Sequence, residues 1–242
     1  MMLDWLRRDP REQPVIVIGE RALPIAVRRL AHARRLTLRL APDGNEVRVS
    51  MPRWGRTEEA LAFARSRADW LARQLDAQPA ALVVGHGAVL RFRGEAAPIA
   101  HDPAAPRKVR FDGTSLLVGG PADSLAPRLR RWLEGEARGL MTADLAHYCQ
   151  AIRREPPRLS LSNARRRWGS CGPDGSIRLN WRLIMAPDPV RRSVVAHEVA
   201  HLVHFDHSPR FHALLGDLFE GDIAAANSWL KREGRTLYAP FG

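Results

Sequence analysis

The residues with the clearest chemical potential lie in the run His197-Glu198-Val199-Ala200-His201. In an α-helix, residues i and i+4 lie about one turn apart on the same face, so both imidazoles can bind one metal ion. Glu198 is rotated by about 100° from His197, so its carboxylate can reach a metal-activated water without being a ligand. Two such histidines with a glutamate general base are the pattern of zinc hydrolases, which predicts Zn²⁺ as the cofactor.

A catalytic zinc site needs a third protein ligand and an open coordination position. His204 follows His201 by three residues and would lie near the same helix face. His207 stands before Ser208-Pro209, where the chain is expected to turn, so it can approach the metal from another direction, as tetrahedral coordination requires. The predicted ligands are therefore His197, His201 and His207. Three alternatives remain for the third ligand, namely His204, His212 and Glu220.

These residues need a helix and a strand to position them. Asp188-Pro189 predicts a helix start with Asp188 as the cap, and Ser208-Pro209 and Gly221-Asp222 predict the starts of the next two helices. Residues 176–184 alternate between apolar and polar side chains and predict a strand. Because this strand directly precedes the zinc helix, it could form a cleft edge that pairs with an extended peptide.

The segment Arg165 to Gly172 is the second dense group of polar residues. One of its arginines, Arg167, is a candidate to stabilise an oxyanion or to bind a substrate carboxylate. Cys171 has two interpretations, a further zinc ligand or a small buried side chain.

The sequence predicts that the first half of the chain is rich in β-strands. Residues 15–18 predict a short strand, and residues 34–40 and 46–51 predict a hairpin around the turn Pro42-Asp43-Gly44-Asn45. Thr57 predicts the cap of one long helix, residues 82–120 are strand-like, and Gly119-Gly120-Pro121 predicts a domain boundary. We therefore expect residues 1–120 to form a β-rich region and residues 121–242 to form the catalytic domain, which opens with a helix capped by Ser124.

Composition narrows the class of protein. The chain has 242 residues and a net charge of +12, which favours contact with nucleic acid or other anions. Only Lys108 and Lys231 are lysines, so the arginine and alanine bias also fits a genome-wide base composition. There is no apolar run of membrane-spanning length, no secretory signal pattern at the N-terminus and only two cysteines, from which we expect a cytoplasmic protein.

Several motifs in order resemble the YgjP-like metallopeptidase family, which is related to the SprT-like zinc proteases. The motifs that carry the resemblance are Arg167-Trp168-Gly169-Ser170-Cys171, Ile177-Arg178-Leu179-Asn180, Leu183-Ile184, Pro187, His197-Glu198-x-x-His201-Leu202 and His207-Ser208-x-x-Phe211. The resemblance implies an α+β, zincin-like domain in which the metal-binding helix packs on a small antiparallel sheet. It also implies His197, His201 and His207 as ligands and Glu198 as the base. His212 departs from the family pattern, in which Trp commonly follows the Phe.

The sequence therefore predicts a zinc metallopeptidase that acts on a peptide or protein substrate. Four residues are candidates to stabilise the transition state or to bind substrate, namely Arg167, Asn180, His204 and Tyr238. One alternative is a nucleic-acid-associated protease, since SprT-like relatives include proteases that act on DNA-bound proteins. Another is a non-catalytic zinc-binding module, although such a module has no need of a general base at position 198.

Overall fold

A computed structural model of the chain describes residues 14–41, 44–76 and 80–241. The contacts divide the chain into two compact units, residues 1–79 and residues 80–242. The N-terminal segment used to judge a secretory signal lies outside the described residues. Within the described residues, no helix is both long enough and apolar enough to cross a membrane.

The first unit is a four-stranded sheet with two short helices. Its elements are β1 (Val15–Ile18), β2 (Arg21–Leu30), β3 (Thr37–Leu40), β4 (Val47–Pro52), α1 (Thr57–Arg65) and α2 (Ala68–Asp76). The strand order is β1-β2-β4-β3, and the predicted hairpin is the antiparallel pair of β3 and β4. Residues 42 and 43 of its predicted turn lie outside the described residues.

The structure has two helices, α1 and α2, where the sequence predicts one long helix. Helix α1 ends at Arg65, and the Ser66 hydroxyl donates a hydrogen bond back to the Phe63 carbonyl, which satisfies one carbonyl of the last turn. Thr57 is the first helical residue, and the N-cap is Arg56. Both helices bury apolar residues that share a core with the sheet, such as Ala64 on α1 and Leu71 on α2.

The second unit begins with another four-stranded sheet, of order β5-β6-β8-β7. Its strands are β5 (Val89–Phe92), β6 (Glu95–Asp102), β7 (Val109–Phe111) and β8 (Leu116–Gly119). Their buried side chains share one core with the long helix α3 (Leu125–Ala151), whose buried positions recur at every fourth residue from Leu125 to Met141. Residues 80–120 therefore lie in the second unit, whereas the sequence analysis assigned them to the N-terminal region. Gly120, at φ +85°, marks a turn inside this unit.

A three-stranded sheet follows α3. Its strands are β9 (Leu159–Ser162), β10 (Gly169–Cys171) and β11 (Ile177–Asn180), in the order β10-β11-β9. The pair β10–β11 is antiparallel, but β11–β9 is parallel, so the expected antiparallel sheet is in fact mixed. Strand β11 has a partner on both sides and cannot be the peptide-pairing edge that the sequence suggested, whereas β10 is an edge strand.

The strand predicted for residues 176–184 ends early, at Asn180. The Asn180 side chain accepts a hydrogen bond from the Arg182 backbone amide, which caps a 3₁₀ helix at Trp181–Met185. All five residues of that turn are buried. The alternation of apolar and polar residue types in the sequence therefore does not mark a strand beyond Asn180.

Three helices complete the unit, α4 (Asp188–Ala200), α5 (Pro209–Leu218) and α6 (Ile223–Glu233). Ser208 caps α5 and Asp222 caps α6, as the sequence predicts. At α4 the N-cap is Pro187 rather than Asp188, and Asp188 instead forms ion pairs with Arg93 and Arg191. The described chain thus combines helices with small sheets, which agrees with the predicted α+β class.

Candidate metal centre

Three histidine side chains converge at the C-terminal end of α4. One ring nitrogen from each of His197, His201 and His207 lies within 4.8 Å of the other two. The Nε2 atoms of His197 and His207 are 3.3 Å apart. His197 and His201 are partly buried and His207 is exposed, so the cluster is open on one side.

The donor set and its spacing fit a zinc ion. Two nitrogens bound to one tetrahedral zinc at about 2.05 Å lie about 3.3 Å apart. Bare lone pairs at that separation repel each other, so the arrangement calls for a cation or a proton between them. Burial, followed by the charges of the neighbouring histidines, lowers the pKa of His197 to about 4. This imidazole is therefore neutral at pH 7, as a metal ligand must be.

The end of α4 explains why the third histidine reaches the cluster. The helix stops at Ala200, and His201 is its C-cap residue. The chain then turns and enters α5, whose first turn is fixed by a hydrogen bond from the Phe211 amide to the Ser208 hydroxyl. This path brings His207 back toward His197 from outside the helix, in line with the geometric expectation.

The aromatic ring of Phe211 forms a floor beneath the three imidazoles. Its centroid lies 5.0 Å from that of His197, 4.5 Å from that of His201 and 4.8 Å from that of His207, and the residue is fully buried. A packed ring under the imidazoles restricts their rotation. The sequence analysis gave Phe211 no role, since spacing does not show which ring lies below a cluster.

The side chain of His204 is not part of the cluster, but its backbone contributes to it. The His201 Nδ1 atom lies 3.0 Å from the His204 carbonyl oxygen. Donation of the Nδ1 proton to this carbonyl leaves the Nε2 atom of His201 free for a metal and fixes the plane of the ring.

The other alternative ligands have different surroundings. The His212 ring centroid is 6.4 Å from that of His207, and the residue stays outside the group of three. The Glu220 carboxylate accepts a hydrogen bond from Tyr148 and pairs with Arg192. Cys171 is likewise outside the group, and its pKa is raised, first by burial and then by nearby carboxylates.

Glu198 lies next to His197 on α4 and is only 5 % exposed. Burial raises the pKa of its carboxyl group to about 7, although a hydrogen bond with the Cys171 backbone and the charge of Arg167 oppose the shift. A carboxylate with a pKa near 7 is suited to exchange protons at neutral pH. Arg167 is thus close enough to act on this group electrostatically.

Strand β10 approaches Glu198 so closely that only glycine fits at position 169. A Cβ atom on Gly169 would lie 2.6 Å from the Cγ atom and 2.7 Å from the Cδ atom of Glu198. The absence of a side chain at Gly169 therefore lets the backbone of β10 lie against Glu198, where it restricts movement of the carboxylate. The sequence carried this signal as part of the family-like motif, but the reason for it becomes visible only in three dimensions.

Charged contacts hold α4 against α3. Arg191 is 3 % exposed and its Nε atom donates a 2.7 Å hydrogen bond to Asp144 of α3, while a second ion pair links it to Asp188. The Arg192 Nε atom donates to the Tyr148 hydroxyl at 3.1 Å. The partners on α3 are more than 40 residues away in sequence, which is why the sequence analysis missed them.

Asn180 and Tyr238 belong to a network behind the arginine-rich segment. The Asn180 Nδ2 atom donates to the Ala164 carbonyl at 2.7 Å and to the Tyr238 hydroxyl at 2.9 Å. The Tyr238 hydroxyl donates to the same carbonyl at 2.8 Å, and the buried Arg182 guanidinium lies 4.5 Å from the Tyr238 ring centroid. Both side chains use these polar atoms to hold the chain before β10, and neither makes a hydrogen bond or ring contact with the three histidines within the described residues.

Comparison with known proteins is consistent with the motifs. Searches of curated proteins and of solved structures found no match. The model of one protein family, described as YgjP-like, metallopeptidase domain, matches residues 34–233, which is most of the chain and includes Gly169, Glu198 and the three histidines. The chain therefore belongs to the YgjP-like metallopeptidase family.

Proposed function

We propose that the protein is a zinc-dependent peptidase in which His197, His201 and His207 bind the metal and Glu198 is the general base. The observation that carries the proposal is the meeting of three imidazole nitrogens within 4.8 Å beside a buried glutamate. Zinc bound there would supply a Lewis acid that makes water a stronger acid and stabilises negative charge. Family membership supports a metallopeptidase, and the all-nitrogen donor set favours zinc.

Residues of the protein itself are proposed to transfer the proton, to orient the general base and to bind the peptide. Glu198 accepts a proton from the attacking water and passes it to the leaving amide nitrogen. The Cys171 backbone and the close approach of Gly169 restrain the carboxylate, so that it is already oriented when substrate arrives. The peptide is proposed to lie along β10, because this strand is an edge and lies against α4.

Arg167 is the proposed partner of the developing oxyanion or of a substrate carboxylate. It is exposed, and its charge already acts on Glu198, so it is close to where the peptide would react. The polar groups of Tyr238 and Asn180 are engaged with Ala164, so we assign those residues to positioning the segment that carries Arg167.

The burial of Glu198 argues against a purely structural zinc site. A carboxylate that binds no metal is costly to bury, and a structural site gains nothing from it. A catalytic site needs that group, because the attacking water must lose a proton. The non-catalytic alternative therefore leaves the burial of Glu198 without an explanation.

The test compares two kinds of variant. Glu198→Gln should keep one zinc per chain by elemental analysis and lose at least about 100-fold in hydrolysis of an unfolded protein such as casein. His201→Ala should lose the zinc itself. Glu155→Gln, at an exposed position outside the site, is the matched control and should hydrolyse casein at the wild-type rate.

Two results would count against the proposal. If the purified protein neither contains nor binds zinc, the proposed ligand set is wrong. If Glu198→Gln hydrolyses casein as fast as the wild type, then Glu198 is not the general base, even with zinc present.

A further inference from the structure

A groove in the first unit, lined by none of the proposed site residues, combines apolar and cationic side chains. It has a volume of about 350 Å³ and lies between strand β3 with its preceding residues and the helices α1 and α2. The residues that line it are Arg35, Leu36, Thr37, Leu38, Phe63, Arg67 and Trp70. We call this set the Trp70 groove.

Apolar side chains form the floor of the Trp70 groove. Leu36, Leu38 and Phe63 are partly buried against the core of the unit, and Trp70 remains 36 % exposed. The Arg67 guanidinium lies over the Phe63 ring, 5.6 Å from its centroid. An aromatic ring left in contact with water beside a stacked guanidinium is a surface on which another planar group can stack.

Positive charge surrounds the groove. Both charged residues that line it, Arg35 and Arg67, are arginines. Residues 14–41 and 44–76 contain twelve arginines and six acidic residues. Among these described residues, the structure has one ion pair, between Arg48 and Glu46. The unit therefore carries a net positive charge that its own carboxylates do not neutralise.

The sheet next to the groove has a like-charge pair that folding does not favour. Arg39 on β3 is directly opposite Arg48 on β4 in the antiparallel register. Like charges at directly opposed positions destabilise a strand pair. Strand alternation places Arg39 on the face opposite to Leu38, so arginines extend from the groove around the free edge of β3.

We propose that the Trp70 groove binds single-stranded nucleic acid, with bases stacked on Trp70 and Phe63 and phosphates paired with Arg35 and Arg67. Aromatic rings interleaved with arginines along a cationic groove are the arrangement that binds single strands without sequence preference. A base has an apolar face and a phosphate has a negative charge, so one ligand satisfies both features of the groove. This inference is independent of the proposed peptidase activity.

Two other occupants fit less well. A second copy of this chain would bring two molecules of charge +12 together at arginine-rich faces, which electrostatic repulsion opposes. An acidic peptide would satisfy the arginines but would supply few planar groups for Trp70 and Phe63. Both are outcomes that the test below can detect.

The test measures binding of the full-length protein to fluorescein-labelled oligothymidylate of 20 nucleotides, by fluorescence anisotropy over a series of salt concentrations. Trp70→Ala should weaken binding between about 5-fold and 150-fold, the range for loss of one stacked base. Trp54→Ala is the matched control, since Trp54 is 80 % exposed, lies in the same unit and is outside the groove.

A second pair of variants separates the groove from net charge. Arg67→Gln should weaken binding and lower the slope of log affinity against log salt by about 0.7, the value for one lost phosphate contact on a single strand. Arg73→Gln removes the same charge from an exposed position on α2 outside the groove and should leave that slope unchanged. Because Arg67 is exposed, its variant tests the groove even if Trp70→Ala impairs folding.

Several results would overturn the proposal. Equal effects of Arg67→Gln and Arg73→Gln would mean that binding follows total charge and not the groove. Equally strong competition by polyglutamate of matched length would identify an acidic peptide as the better ligand. Self-association in sedimentation experiments, lost in Trp70→Ala and kept in Trp54→Ala, would identify a second copy of the chain as the occupant.

Discussion

Replacement of Gly169 by alanine tests whether the edge strand β10 positions Glu198, the proposed general base. The added Cβ atom would lie 2.6 Å from the Glu198 Cγ atom, whereas carbon atoms in contact prefer at least about 3.5 Å. The carboxylate or the strand must therefore move by about 1 Å. A displacement of that size at a reacting group reduces catalysis by about 100-fold.

The effect should appear in turnover and not in metal binding. The three atoms nearest to a Cβ at position 169 all belong to Glu198, so Gly169→Ala should retain one zinc per chain, while kcat for casein or a quenched fluorescent peptide falls about 100-fold. Overpacking beside the buried Glu198 should also lower the free energy of unfolding by about 1–3 kcal/mol, measured by denaturant titration.

Gly216→Ala is the control for this substitution. Gly216 lies on α5, close in sequence to Phe211, and a Cβ atom there would meet nothing within 4 Å. It should keep full activity and gain up to about 1 kcal/mol of stability from the higher helix propensity of alanine. Wild-type kcat in a folded, zinc-loaded Gly169→Ala variant would refute the view that β10 restrains Glu198.

Three further predictions concern the surroundings of the site. His204→Ala should keep its zinc because the backbone carbonyl, not the side chain, orients His201, whereas His207→Ala should lose it; elemental analysis decides between them. Phe211→Ala should cost about 3–5 kcal/mol in the free energy of unfolding and weaken zinc binding at least about 10-fold, since the ring supports all three imidazoles; an unchanged zinc affinity would show that it does not. Burial acts to raise the pKa of Asp188, but its arginine partners outweigh burial and the net pKa is lowered, so the stability it contributes is present above the ordinary value of 3.8 and lost as the pH falls below it. Asp188→Asn should therefore be about 1–3 kcal/mol less stable than wild type at pH 7, with a difference that shrinks in titrations below pH 4; a difference independent of pH would contradict the assigned ion pairs.

Local patterns in the sequence predicted most of the elements that carry the site. The caps at Ser208 and Asp222 and the strand alternation of β3 and β4 depend on neighbouring residues alone, so residue order is enough to recognise them. The strand predicted through residue 184 was wrong because the apolar and polar residue types alternate there while all five residues of the 3₁₀ turn, including Arg182, are buried. The boundary expected at Gly120 differs from the contact-defined division at residue 79 because the core shared by α3 and the second sheet leaves no local mark in the sequence.

The sequence by itself determined the chemical groups of the proposed site. These are two histidines one helical turn apart, the glutamate beside the first, and a third histidine directly before the cap of the next helix. Helix periodicity and capping are local, so spacing alone carries that information. Tertiary structure decided which groups surround them. It placed Phe211 under the imidazoles, Gly169 against Glu198 and the pair Arg191–Asp144 behind the helix. The last two contacts join residues far apart in the chain, and the first depends on how α5 packs after the turn that follows α4, so only the folded core brings these groups together.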